Sequence, residues 1–362
     1  MIVGLTYDLR QDYLDRGFGL DETAEFDRPD TITAIEAALE GLGYETRRIG
    51  NAYDLIKALA SGARWDLVFN IAEGLYGYGR ESLVPALLDA HRIPYVFSDP
   101  LTLAVTLHKA VAKRVVRDAG VPTPRFVVFE DLDTVSDAAL AAAGLTYPVF
   151  AKPVAEGTGK GVGPSSRVAD GDGLRTTCAA LLATYRQPVL VEEYLPGREF
   201  TVGIVGTGSA ARVLATMEIV PGAGAECVDY TFVNKDECDS RVEYRLGLDE
   251  AGRGAARVAL AAYRALNVAD AGRVDVRLAA DGTPSFMEIN PLAGLHPEHS
   301  DLPILCTLAD ISFTDLMDAI MRSAMERVRN ARAVRAEAPA GVVTTCGPAA
   351  CGSDEVEKAP CA

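Results

Sequence analysis

Two short stretches near the C-terminal end constrain the fold more than any other part of the chain. Charged and apolar residues alternate in Arg273-Val274-Asp275-Val276-Arg277, and a two-residue period recurs in Phe286-Met287-Glu288-Ile289-Asn290. Between them lies the turn signal Ala280-Asp281-Gly282. Strand side chains point to opposite faces in turn, so this pattern predicts a hairpin of strands 273–279 and 285–289. One face would carry Arg273, Asp275 and Arg277, with Phe286, Glu288 and Asn290 together on a face of the partner strand. Asp275, Glu288 and Asn290 can then converge. Two carboxylates and an amide oxygen make a hard-oxygen set suited to Mg²⁺, which takes one or two carboxylates plus substrate phosphates. A solvated polar hairpin face accounts for the spacing equally well.

Upstream, strand-like and helix-like segments alternate. Residues 2–7 predict a buried strand. Residues 31–42 predict a helix, with Ile32, Ile35, Leu39 and Leu42 in helical period and Gly43 as its stop. A strand over 66–71, a helix over 83–90 and a third strand over 93–97 follow, which argues for a small parallel sheet flanked by helices. A helix over 103–119 ends at Gly120, before the rigid connector Val121-Pro122-Thr123-Pro124. Strands are expected over 125–129, 149–152 and 189–193, with an Ala-rich helix over 170–185. Antiparallel strands over 199–205 and 212–220, a helix over 250–266 and an amphipathic helix over 313–328 complete the body. The fold class is α/β, turning to α+β in the C-terminal half. From about residue 331 the chain is rich in Ala, Gly, Pro and Cys with little periodicity, and reads as a mobile, dispensable tail.

Charge excludes some functions. Lys plus Arg number 35 against 51 Asp plus Glu, a net −16, so neither nucleic acid nor an anionic membrane is an expected partner. No apolar run reaches the roughly 18 residues of a membrane span, and the first ten residues lack a signal-peptide pattern. Seven cysteines, an odd number without a CxxC pair, fit a reducing cytoplasm.

Two further segments carry chemistry. Lys152 closes a strand and precedes Pro153-Val154-Ala155-Glu156-Gly157-Thr158-Gly159-Lys160-Gly161-Val162-Gly163. Glycines let backbone N–H groups close on phosphate oxygens, and a lysine adds a point charge. It is no Walker A loop, because glycine rather than Ser or Thr follows Lys160; a flexible hairpin turn explains it as well. In Val191-Glu192-Glu193-Tyr194-Leu195-Pro196-Gly197-Arg198-Glu199-Phe200 a strand, a short connector and a new strand form a hinge, which could offer backbone groups to a base and a carboxylate to a ribose. A plain crossover with surface glutamates reads the same way.

Taken in order, these segments resemble the ATP-grasp superfamily, and within it the D-alanine–D-alanine ligases, over about residues 2–328. The resemblance implies an ATP-grasp fold with an N-terminal preATP-grasp domain over 1–105. It also implies a central subdomain over 106–197, a C-terminal subdomain with the metal site over 198–330, and a tail over 331–362. ATP and Mg²⁺ (or Mn²⁺) are the implied cofactors, small amino-acid or peptide substrates the implied partners, and a homodimer an implied assembly. The implied reaction is carboxylate activation as an acyl phosphate, followed by attack of an amine.

Site residues follow position by position. Lys109 matches the first ATP-binding lysine and Lys152 the second. Glu192, with the backbone near Tyr194 and Leu195, matches the adenine hinge, and Glu199 the ribose carboxylate. Asp275, Glu288 and Asn290 match the metal ligands. Arg273 matches the arginine that stabilises the tetrahedral intermediate, and Ser300 the serine that receives the second substrate's carboxylate. Lys235 falls near the loop lysine, and Glu25 fits the glutamate that meets the first substrate's ammonium group. The sequence also departs from the family. Asn70-Ile71-Ala72-Glu73-Gly74 replaces its histidine–glycine signature, Asp236 stands where a tyrosine follows the loop lysine, and Thr158-Gly159 replaces a serine pair. The run from Pro291 to Ser300, with His296 and His299, is also atypical. The nucleotide half is better preserved than the amino-acid half, which points to the same chemistry on a different substrate.

Overall fold

A computed structural model describes residues 1–221 and 242–337. The N-terminal part runs β1 (Ile2–Thr6), α1 (Arg10–Leu14), α2 (Pro29–Gly41), β2 (Glu45–Gly50), α3 (Ala52–Ala60), β3 (Leu67–Asn70) and α4 (Leu83–Ala90). Its sheet is parallel, in the order β2-β1-β3. The expected third strand over 93–97 is not one. That segment makes a single parallel bridge, Val68 to Tyr95, and Phe97 turns away at a positive φ of 75°. The third strand is instead β2, whose Glu-Thr-Arg-Arg-Ile-Gly sequence hides it. It is an edge strand, and edge strands tolerate charge on faces a central strand must bury.

The expected helix over 103–119 is two helices, α5 (Pro100–Leu107) and α6 (Lys109–Asp118). His108 breaks them with extended backbone, φ −86° and ψ 90°. The Lys109 N–H, freed by the break, donates to the Val154 carbonyl at 2.9 Å. The break therefore ties the start of α6 to the second sheet.

That sheet contains β4 (Phe126–Phe129), β5 (Val149–Pro153), β6 (Arg167–Val168) and β7 (Val189–Glu193), antiparallel in the order β4-β7-β5-β6. Helices α7 (Asp137–Ala142) and α8 (Gly171–Tyr185) cover it through Leu140, Leu174, Cys178 and Leu181. The third sheet is antiparallel, β10-β9-β8-β11-β12. Its strands are β8 (Glu199–Val205), β9 (Arg212–Pro221), β10 (Val242–Leu246), β11 (Ala271–Leu278) and β12 (Pro284–Asn290). Helix α9 (Glu250–Ala265) lays Ala255, Ala259, Ala262 and Tyr263 on Val202, Val274, Val276 and Phe286. Each large side chain buried there stabilises by roughly 1.5–3 kcal/mol.

Helices α10 (Asp301–Leu308) and α11 (Phe313–Glu337) close the chain. Leu316, Met317, Ile320 and Met321 of α11 share one core with Val3, Leu5, Ile35 and Leu39, so the last helix returns to the first sheet. Asp270, fully buried, locks the junction: it accepts from the Phe97 N–H at 2.9 Å and pairs with Arg327 at 2.7 Å. This fixes the strand that carries Arg273 and Asp275 against the N-terminal part. Residues 331–337 continue α11, so they are not part of a tail; the rest of the expected tail, 338–362, lies outside the described residues. Cys178 and Cys306 are buried free thiols, and burial pushes both pKa values up, to about 11 and about 12.

Candidate active site

The hairpin forms as expected, with one shift. Arg273 pairs with Asn290 and Asp275 with Glu288, but Val276 then pairs with Phe286, so Met287 is an extra residue on β12. This bulge corrects the expected face of Phe286, which is fully buried in the core with Val276 while Met287 and Glu288 both line the cleft. The extra residue turns the strand by one position. Thr201, opposite Asp275 on β8, donates to its Oδ1 at 2.8 Å. Arg273 bonds Asp301 at the start of α10 and lies 3.6 Å from Asp275.

Three buried charges stand behind this face. Lys113 and Lys152 both pair with Glu192 at 2.9 Å, and their side chains are 0–8% exposed. Glu192 pairs in register with both Phe126 and Phe150, which puts it in the middle of the second sheet. Burial alone would raise the Glu192 pKa, but the two lysines outweigh it and hold the group below its ordinary value. Burial lowers Lys113 to about 8. It opposes Lys152 too, yet Glu192 and then Glu288 win, and that pKa rises. The Glu192 carboxylate is thus spent on the lysines. At the hinge it is therefore the backbone beyond Glu192, not this carboxylate, that stays available to a base. Beyond it, the Tyr194 ring lies under Arg167 and Arg277, at 4.6 and 5.4 Å, and Leu195 is buried. Glu199 is 3.6 Å from Arg277.

One turn before Lys113, Lys109 reaches the glycine loop and the hairpin together. Its ammonium bonds the Glu156 carbonyl and lies 3.5 Å from Glu288. Glu25, in the segment entering α2, is also taken. It accepts from the Gly157 N–H at 2.6 Å, pairs with Arg80 at 2.9 Å and lies 3.5 Å from Lys160. A Cβ on Gly157 would fall 2.7 Å from the Glu25 carboxylate, so a larger residue there would have to displace that carboxylate. Burial would raise Glu25, but Arg80 and Lys160 prevail and lower its pKa. Lys160 also bonds Glu156. Lys113, Arg80 and Asp301 were not singled out by sequence pattern, and Glu156 and Lys160 entered it only as members of the glycine-rich loop; Lys113 left one signal, its i+4 spacing from Lys109.

Two cavities meet here. One, about 90 Å³, is lined by Phe150, Lys152, Gly159, Val162, Glu199, Asp275, Arg277 and Met287; the other, about 370 Å³, by Glu25, Glu73, Glu81, Arg273, Asn290, His296, His299 and Ser300. Lys109, Glu156 and Glu288 line both. Ser300 stands at the N-cap position of α10 without a side-chain capping bond, and its hydroxyl accepts from the His296 N–H at 3.0 Å. His296 lies 3.4 Å from Asp30. Lys235 and Asp236 lie outside the described residues.

A family model, D-ala D-ala ligase C-terminus, matches residues 115–322. The chain belongs to the D-alanine–D-alanine ligase family. It is 31% identical over 301 residues to a D-alanine–D-alanine ligase of Herminiimonas arsenicoxydans, covering 82% of this chain and 86% of that one. The fold is similar to that of the D-alanine–D-alanine ligase of Bacillus anthracis complexed with ATP, with a TM-score of 0.69 at 23% identity over 92% of this chain and 99% of that one. It is also similar to the VanG D-Ala:D-Ser ligase of Enterococcus faecalis, with a TM-score of 0.66 at 20% identity over 89% and 99%. This D-alanine–D-alanine ligase-like protein has the ATP-grasp fold and is an ATP-dependent, ADP-forming ligase that makes C–N bonds. Among the described residues, no helix is long and apolar enough to cross a membrane.

The ligase needs a divalent cation beside its nucleotide, and the hairpin suits one. Asp275 and Glu288 face each other across adjacent strands, and Asn290 adds an amide whose buried nitrogen has no hydrogen-bond partner among the described residues. Such hard oxygen donors match Mg²⁺ or Mn²⁺.

Proposed function

We propose that this ligase phosphorylates the carboxylate of one amino acid with MgATP and passes the acyl group to the amine of a second amino acid or peptide, and that the pair is not two D-alanines. The observation that carries this reading is the wall of Lys109, Glu156 and Glu288 shared by the two cavities. A nucleotide in the smaller cavity and a carboxylate in the larger would meet there.

Lys152 and Lys109 bind nucleotide phosphates, the Tyr194–Leu195 backbone takes the base, and Glu199 takes the ribose. Glu192 acts one step back, holding Lys152 in place through its ion pair. Asp275, Glu288 and Asn290 hold Mg²⁺ or Mn²⁺, which would offset charge on the phosphoryl oxygens. A carboxylate is a poor electrophile; its acyl phosphate is a good one. Arg273, held beside Asp275 and Asp301, then meets the developing oxyanion. Ser300, at the N-terminus of α10, receives the acceptor's carboxylate. The glycine loop closes over the acyl phosphate and keeps water from it. The nucleotide lies between the parts spanning 106–197 and 198–330, and the enzyme works in the cytoplasm.

The departures at Asn70–Gly74 and at Asp236 support a changed substrate. The test is phosphate release with D- and L-amino acids, singly and in pairs, with mass spectrometry of the products. The expected result is release with a pair other than two D-alanines. Exclusive, efficient D-alanyl-D-alanine would overturn the substrate assignment. Folded protein that binds MgATP but releases no phosphate with any amino acid or peptide would overturn the ligase reading.

A further inference from the structure

The larger cavity holds two carboxylates that no part of the scheme above uses. Glu81, immediately ahead of α4, is 8% exposed, yet it lines the cavity and makes no hydrogen bond or ion pair among the described residues. Glu73, in the loop after β3, lines the same cavity and is equally without such a partner. The nearest guanidinium, Arg80, is already engaged: it donates to both Glu25 oxygens and to the Ala155 carbonyl. A buried carboxylate is costly unless it is paired. Buried Glu81 and half-buried Glu73, facing one cavity, suit a cation that comes and goes.

We propose that Glu73 and Glu81 receive the α-ammonium group of the amino acid whose carboxylate is activated. This rests on the ligase reading. Glu25, which the family resemblance gives that task, instead latches the glycine loop through the Gly157 N–H.

Three observations support the assignment. An ammonium group has three donors and suits two carboxylates at once. Lys109 lies near enough to Glu81 to favour its ionised form, and Lys109 is also in the shared wall where the carboxylate must react. Glu81 is therefore beside the reacting carboxylate, as the ammonium group of an α-amino acid is, one carbon away. Finally, the charge of Glu81 acts on Glu73, which puts the two carboxylates close enough to share one ammonium group. The donor class is thus an α-amino acid with a free amine, and 2-hydroxy acids and N-acylated amino acids are excluded.

The experiment uses the full chain and its Glu81→Gln, Glu73→Gln and Glu25→Gln variants. The probe is the amino acid that releases phosphate fastest in the screen above, beside its 2-hydroxy acid. For Glu81→Gln and Glu73→Gln, KM for the amino acid should rise at least tenfold, with kcat within about threefold and MgATP affinity by calorimetry unchanged. Preference for the amino acid over the 2-hydroxy acid, at least a hundredfold in the wild type, should fall below tenfold. Glu25→Gln should lower kcat and leave that KM within threefold. Wild-type-like KM and preference in both Glu73 and Glu81 variants overturn this assignment alone. So does a Glu25→Gln variant that raises KM as they were expected to. Loss of MgATP affinity together with turnover also overturns it, because the carboxylates would then be structural. A wild type silent with every amino acid overturns the ligase reading and this one with it. If Glu81→Gln fails to fold, Glu73→Gln decides.

Discussion

Glu192→Gln leaves two buried ammonium groups sharing one site, Lys113 and Lys152, each 2.9 Å from the carboxylate it loses. Removing one partner of a buried pair costs about 3–5 kcal/mol, because the remaining charge is uncompensated. Lys113→Met is different: it takes away one cation and leaves Glu192 balanced by Lys152, so its cost should stay below about 2 kcal/mol. The two variants act on the same contact, yet their costs should differ severalfold. Alkalinity adds a second handle. Burial brings Lys113 to about 8 from 10.5, so it releases its proton first. Raising the pH from 7 to 9 should therefore recover part of the Glu192→Gln loss. Urea unfolding at both pH values measures all of this. Equal costs for the two variants, or a Glu192→Gln cost under about 1 kcal/mol, would refute the reasoning, since the charge balance would then not govern the site.

Arg273→Ala should cut kcat by roughly 100- to 1000-fold, the 3–4 kcal/mol an oxyanion donor supplies, while MgATP affinity holds; a raised KM for ATP with intact kcat would show that Arg273 serves the nucleotide. Burial pushes Glu81 up to about 7, against its neighbour Arg80. Stability from a carboxyl group raised in this way is present below its unfolded value of 4.5 and is lost as pH rises through 7. Thermal melts should accordingly show Glu81→Gln above wild type at pH 8, with the gap closing near pH 4.5; wild type melting higher at pH 8 would mean the carboxylate has a stabilising partner.

The sequence carried the hairpin because its chemistry is local. Alternation placed Val274 and Val276 in the core and Arg273 and Asp275 in the cleft, whereas Asn290 stands opposite Arg273 only because of the bulge. The bulge at Met287 is a matter of register between strands, so no run of letters encodes it. Strand β2 was missed because its charges suit an edge, and the single helix expected over 103–119 hid the break at His108 that positions Lys109. The Glu192 triad joins α6, β5 and β7, segments up to 79 positions apart between Lys113 and Glu192, and sequence spacing says nothing about such meetings. Glu73 entered the sequence reading only within the segment 70–74, and Glu81 not at all; the cavity that both line and the burial of Glu81 are visible in three dimensions alone.

Carboxylate activation is most directly tested by isotope. The donor amino acid carries ¹⁸O in both carboxylate oxygens, the enzyme turns over with unlabelled MgATP and acceptor in unlabelled water, and the released phosphate is weighed by mass spectrometry. An acyl phosphate transfers one substrate oxygen to phosphorus when the amine displaces it, so the expected phosphate carries one ¹⁸O per turnover. Amide product formed alongside wholly unlabelled phosphate would contradict activation through an acyl phosphate.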